Sequence, residues 1–374
     1  MARRFVDVIL VWIDGPFAPW QYMSRSAVAA HNLRATITNR NRHFSWVRNL
    51  PKDLSDREQA GQKQRNSAPQ PIEDYGVIGD LNTVALVGAD ASIDFLCLPH
   101  FDSPTVFAKL LDHEKGGSFS IEPKLDQGRS KQMYLPETNI LTTRFQSQDG
   151  VAEIDDFMPA LDADEHRRVI RAVRVIKGTI DFGMRCCPRF DYGRKSHTVE
   201  LHGEHVVEFI VPDGLCPPVR LISRIPLRVV GRDVEADFTL KAGEHLSFIF
   251  ACGVSEESPQ DAERDAQVEN IKRWFDETSK FWRAWAAKSS YKGRWREMVT
   301  SSALVLKLLT SRKHGSIIAA PTFGLPELVG GERNWDYRYT WLRDSAFTLY
   351  AFMRLGYTDE ARSFMMWLRE RIGK

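Results

Sequence analysis

Residues 333–345, RNWDYRYTWLRDS, place four aromatic side chains (Trp335, Tyr337, Tyr339, Trp341) and the guanidinium of Arg343 within nine positions, with Asp344 directly after them. The chain beyond turns apolar with a helical period, so Arg343 and Asp344 are expected at a loop-to-helix junction. A sugar ring presents flat C–H faces and hydroxyls that both donate and accept. Aromatic rings cover the first, and an arginine–aspartate pair answers the second with charge-assisted hydrogen bonds. The stretch therefore reads as a saccharide pocket, or else as an aromatic-rich turn folded into a core, where Trp and Tyr are often largely buried.

Helical periodicity surrounds this stretch. Residues 345–355 form one helix stopped by Gly356. Residues 358–371 form another, with Thr358 as N-cap and Asp359 and Glu360 against the positive dipole end. Ala361, Phe364, Met365 and Leu368 share a face that reads as core packing. Upstream, 294–309 is helical through Val299, Ala303, Leu306 and Leu309. The span 258–287 is expected as one helix, opened by Ser258-Pro259 and marked by Val268, Ile271, Trp274, Phe275, Phe281 and Trp285. Its charged first half suits a connector lying on the surface of a β-domain.

From Ile72 to about Gly253 the pattern becomes short β-rich runs between turns. Hairpins are expected for 83–87 with 92–98, 139–145 with 151–157, 199–201 with 206–211, and 234–240 with 245–251. Strands at this spacing without intervening helices indicate a large antiparallel β-sandwich. His202 and His205 flank a tight turn with no third ligand nearby in sequence, so they read as solvated turn histidines rather than a metal site.

With 51 Lys+Arg against 49 Asp+Glu and no long basic run, the chain has no nucleic-acid footprint. No apolar stretch approaches the roughly 18 residues that span a bilayer. The N-terminal run FVDVILVWI lacks a signal-peptide cleavage site, so a cytoplasmic location is expected. Five cysteines, two of them adjacent (Cys186, Cys187), suit neither a disulfide framework nor a CxxC site. Cys97 and Cys252 read as buried thiols, which favours a reducing compartment. Residues 1–70 carry eleven Lys/Arg against five Asp/Glu, and 48–74 are polar with three prolines. This part reads as a disordered or dispensable extension.

The stretch 333–345, with 317–331 (IIAAPTFGLPELVGG) before it, resembles the start of the catalytic barrel of glycoside hydrolase family 15, which holds glucoamylases, glucodextranases and mycobacterial-type trehalases. The resemblance continues through 75–107, IDDFMP (154–159), PRFDYGR (188–194) and 291–310. Phe323-Gly324 and Thr300-Ser301-Ser302 depart from the family's usual wording, away from the sugar-gripping positions. The resemblance implies an extension (1–71), a β-sandwich (72–254), a linker helix (255–290) and the first helices of an (α/α)6 barrel (291–374). A full barrel needs some 250 residues at about 12 per helix plus loops. The 81 residues from Arg294 onward are expected to supply about three helices of a C-terminally truncated member.

The resemblance also implies inverting hydrolysis of terminal α-glucosidic bonds of the glucoamylase or trehalase type, with water and no cofactor. Arg343 and Asp344 would hold the hydroxyls of the non-reducing glucose, Trp341 and Tyr337 would wall the pocket, and Trp335 would flank it. Inversion needs an acid and a base about 6.5–9.5 Å apart. In the family both come from later segments, so they are expected beyond Lys374, leaving residues 1–374 inactive by themselves. Glu327 and Glu332, in the loop before the aromatic cluster, are the other local candidates for that role, read as loop or solvent-facing. Two alternatives are a disaccharide phosphorylase relative, for which no phosphate loop is apparent, and a non-catalytic carbohydrate-binding fragment.

Overall fold

The computed structural model describes residues 70–160, 166–214, 216–253, 258–325 and 330–372. The expectations for the N-terminal extension (but for its last two residues) and for Glu327 lie outside them. From Asp74 onward the described chain forms one compact unit.

Two antiparallel sheets of eight strands each build the β part. The first contains β1 (Gly76–Gly79), β2 (Val84–Val87), β3 (Ile93–Cys97), β4 (Thr105–Phe107), β5 (Phe119–Pro123), β10 (Thr179–Cys186), β14 (Arg228–Val230) and β15 (Asp233–Lys241). The second contains β6 (Arg129–Tyr134), β7 (Leu141–Gln146), β8 (Val151–Phe157), β9 (Arg167–Lys177), β11 (Thr198–His202), β12 (Val206–Ile210), β13 (Val219–Ser223) and β16 (His245–Cys252). Between them lies a core rich in phenylalanine, with Phe107 and Phe250 rings 5.2 Å apart. Inside that core Arg171 donates to both oxygens of Asp156 at 2.8 and 3.3 Å and to the carbonyls of Phe119 and Ala91.

Three of the four expected hairpins pair as read: β2 with β3, β7 with β8, and β11 with β12. The fourth does not. β15 pairs with β10 and β14 in the first sheet, while β16 pairs with β13 and β9 in the second. The connection 242–244 carries the chain across the sandwich, beside the crossing from β9 to β10 at Gly178. The two crossings are laced together, with Ala242 N–H donating to Gly178 O and Gly243 N–H to Val175 O, both at 2.9 Å. Gly178 (φ 85) and Gly243 (φ 89) take the left-handed conformation that these corners need. Alternation marks strands, but it cannot say which sheet each one joins.

Among the described residues five α-helices follow: α1 (Pro259–Asp265), α2 (Val268–Ala286), α3 (Arg296–Leu308), α4 (Leu342–Leu355) and α5 (Thr358–Ile372). The single helix expected over 258–287 is broken at Gln267, whose backbone is extended. The break lets Ala262 and Ala266 on one side, and Ile271 and Trp274 on the other, press onto the outer face of the second sheet. The β1–β4 end of sheet one is buried on both faces, which is why β2 reads as unbroken VALV. Ala85 and Val87 meet the inter-sheet core, while Val84 and Leu86 meet Trp282, Trp285, Leu308, Phe352 and Tyr357 of the helical part.

Gly356 stops α4 as expected, at φ 92. The helix starts three residues earlier than read, so Arg343 and Asp344 lie in its first turn rather than at its edge. On α5 the expected core stripe is core only at Phe364; Met365 is 56% exposed, because nothing packs on that side of the helix. No described helix is long and apolar enough to cross a membrane.

Candidate functional site

Two stretches of the aromatic region form a short ribbon. Ala320 N–H donates to Tyr337 O at 2.8 Å, Ala319 N–H to Tyr339 O at 3.1 Å and Gly324 N–H to Trp335 O at 3.3 Å, with Phe323 and Asp336 bridged. The backbone is bridged at Asp336 and turns through Tyr337 and Arg338, with Arg338 N–H donating to Asp336 Oδ1 at 3.0 Å. Arg338 is buried and Asp336 partly so, while Trp335 and Tyr339 are more than half exposed. Trp341 then folds back, its indole N–H donating to Asp336 O at 3.2 Å.

That bend gathers the expected site residues. The Trp341 ring lies 5.3 Å from Tyr337 in a near-stack, 6.4 Å from Trp335 edge-on, and 6.0 Å beneath the Arg343 guanidinium. Arg343 Nε is 3.6 Å from Asp344 Oδ2, with their side chains 72% and 40% exposed. Asp344 Oδ2 is itself shielded from solvent and has no hydrogen-bond partner, and the same holds for Ser345 Oγ. The chemistry on offer is an apolar ring wall, an exposed cationic fork and a carboxylate with one unsatisfied oxygen at a helix N-terminus. A polyol hydroxyl would donate to that carboxylate and accept from the fork.

The sequence reading missed Asp336 and Arg338. Arg338 Nε and Nη2 donate to the two Asp336 oxygens at 3.0 and 2.8 Å. Burial works against the Arg338 charge, but Asp336 outweighs it and its pKa moves up. The signal was present in the alternation of ring and charge through NWDYRY, which marks a ribbon with two faces. Asp336 is consumed by this pair and Glu332 is exposed, so neither resembles a poised general acid. A cleft of about 200 Å³ between Lys307, Arg312, Glu360 and Ser363 shares no residue with the aromatic cluster.

The hairpin adds neighbours to the histidines that sequence spacing did not show. Cross-strand register sets Glu208 opposite Glu200, and their carboxylates lie with the His202 ring nitrogen within 4.8 Å of one another. Glu208 also accepts from Arg220 Nε at 2.8 Å, which occupies part of its ligating capacity. His205 is not merely solvated: its Nδ1 lies 2.6 Å from Glu263 of α1.

A family model described as trehalase-like, N-terminal matches residues 63–224, and one described as glycosyl hydrolases family 15 matches residues 293–374. A trehalase of Mycolicibacterium smegmatis is 36% identical over 84% of this chain and 49% of its own length. A trehalase of Mycobacterium tuberculosis is 32% identical over 83% and 47%, and one of Thermoplasma volcanium 34% over 79% and 46%. The chain thus spans about half the length of the curated relatives it matches. A bacterial glucoamylase solved with acarbose aligns with TM-score 0.58 and 12% identity, over 81% of this chain and 50% of that one.

Proposed function

We propose that this chain, which belongs to glycoside hydrolase family 15, holds the terminal glucosyl unit of an α-glucoside, trehalose first among them, at the Trp341 cluster. In this reading Arg343 and Asp344 take the sugar hydroxyls, Trp341 and Tyr337 wall the ring, and Trp335 flanks it. The trehalase relatives support trehalose as the substrate. Residues 72–254 are the β-sandwich domain, 255–290 the linker, and 291–374 the opening helices of an (α/α)6 barrel, a plan supported by the likeness to the glucoamylase fold.

The reaction is hydrolysis with inversion. One carboxylic acid protonates the leaving oxygen while a carboxylate draws a proton from water on the opposite face. Asp344 serves binding, its carboxylate lying 3.6 Å from the Arg343 guanidinium, a partner that favours the charged form over a general acid. We assign the acid and base to the portion of the relatives that this chain does not span, and residues 1–374 by themselves are expected to bind without hydrolysing.

The observation that carries this reading is the shielded Asp344 oxygen, without a hydrogen-bond partner, beside a half-buried ring wall. Titrating the chain with trehalose and maltose while following tryptophan fluorescence tests it. Saturable quenching that disappears in Asp344→Asn is the expected result. No response to either sugar would sink the assignment.

A further inference from the structure

We propose that Arg338 and Tyr192 form a clamp by which the β-sandwich sets the position of the sugar-binding segment, making both of them positioning residues; the proposal rests on the sugar-binding reading above. Arg338 is 5% exposed. Besides Asp336 it donates to Ser103 O at 2.8 Å, to the Tyr192 hydroxyl at 3.1 Å and to Cys97 Sγ at 3.4 Å, and it lies 4.5 Å over the Phe323 ring. Ser103, Cys97 and Tyr192 belong to the sandwich; Asp336 and Phe323 belong to the ribbon. One guanidinium therefore ties the two together, using a planar fork that lysine lacks.

The sandwich side is built on a left-handed turn. Asp191, Tyr192 and Gly193 are consecutive left-handed residues, with φ 51, 61 and 76. Side chains with a Cβ rarely adopt this backbone, and it persists where surrounding structure over-determines it. Here Thr105 does so, its carbonyl accepting from Asp191 N–H and its hydroxyl from Tyr192 N–H, both at 2.9 Å. The strained turn delivers the Tyr192 ring edge-on to Phe323 at 4.7 Å and its hydroxyl to Arg338. Tyr192 takes no part in the core between the sheets.

Asp336 links the clamp to the pocket. Its carboxylate is held by Arg338 and its carbonyl by the Trp341 indole, so a displacement on the buried face of the ribbon moves the ring wall on the other. A wall placed before the sugar arrives lowers the ordering cost of binding.

The test uses the full chain with Arg338→Lys and Tyr192→Phe, each measured three ways: melting temperature, amide hydrogen exchange over 335–344, and trehalose affinity by tryptophan fluorescence. Exchange in 335–344 should rise in both variants while β7, β8 and β9 stay protected. Trehalose affinity should fall about tenfold for Arg338→Lys and less for Tyr192→Phe, which keeps the ring and loses one hydrogen bond. Tyr192→Phe should melt within a few degrees of the wild type, so its loss of affinity cannot be put down to unfolding. Wild-type exchange over 335–344 in a folded Tyr192→Phe, or unchanged affinity in both variants, overturns the clamp. A wild-type chain that binds no sugar defeats the sugar reading alone, since the exchange comparison still decides whether the clamp exists.

Discussion

Asp344 keeps one carboxylate oxygen away from water with nothing bonded to it, an arrangement that costs free energy until a donor arrives. Removing the charge should therefore leave stability nearly untouched: Asp344→Asn is expected to melt within about 1 kcal/mol of wild type while trehalose quenching is lost. Arg171 makes the opposite case. Its guanidinium and the Asp156 carboxylate are fully buried against each other. Arg171→Met should cost about 3–5 kcal/mol, because the buried aspartate is left without its partner inside the sandwich. Urea unfolding of the two variants checks both statements. The residue types at Arg343 and Asp344 made the site readable in sequence, whereas Arg338 passed unnoticed. A charge in a polar, aromatic stretch looks solvated until a neighbouring strand and the sandwich close over it.

Between elements, Glu360 at the start of α5 fastens three helices. It accepts from the Trp285 indole of α2 at 2.6 Å and lies 3.1 Å from Lys307 of α3. Burial alone would raise its pKa, but Lys307 and the Trp285 hydrogen bond outweigh it and hold the carboxyl below its ordinary 4.5. A depressed folded-state value means that this contribution is complete above the unfolded pKa and is lost as pH falls through the folded one. The helical part should thus lose stability below about pH 4.5, and Glu360→Gln should flatten that acid limb in a melting series from pH 6 to 3. Gly356 adopts φ 92 at the end of α4, with Ser290 Oγ 3.3 Å from where a Cβ would stand. Gly356→Ala should lower stability by about 1–2 kcal/mol.

At the scale of the molecule, Leu342, Phe347, Tyr350 and Met353 of α4 and Met365, Met366 and Ile372 of α5 are each more than half exposed. Exposed apolar side chains in this number on two successive helices bind hydrophobic dyes and promote association. The folded chain should enhance the fluorescence of such a dye, and Phe347→Lys with Met366→Lys should reduce the enhancement without lowering the melting temperature. All five cysteines are buried and free. A thiol reagent should label the native protein slowly and the urea-unfolded protein at once, and reductant should leave the melt unchanged.

Local pattern fixed much of this molecule. Strand patterning located eight of the sixteen described strands, helical period located the helices after residue 258 to within a few residues but for the break at Gln267, Gly356 marked a stop, and the crowding of rings beside Arg343-Asp344 marked the candidate site. These features depend on side chains near one another in sequence, where backbone geometry alone sets which face each one takes. Tertiary structure decided the rest: that β15 and β16 part into different sheets, that Glu208 joins His202, that Met365 lacks a cover, and that Tyr192 reaches Arg338 across 146 positions. Each of these hangs on contacts between distant segments, and the free energy of such contacts appears only when burial brings the partners together.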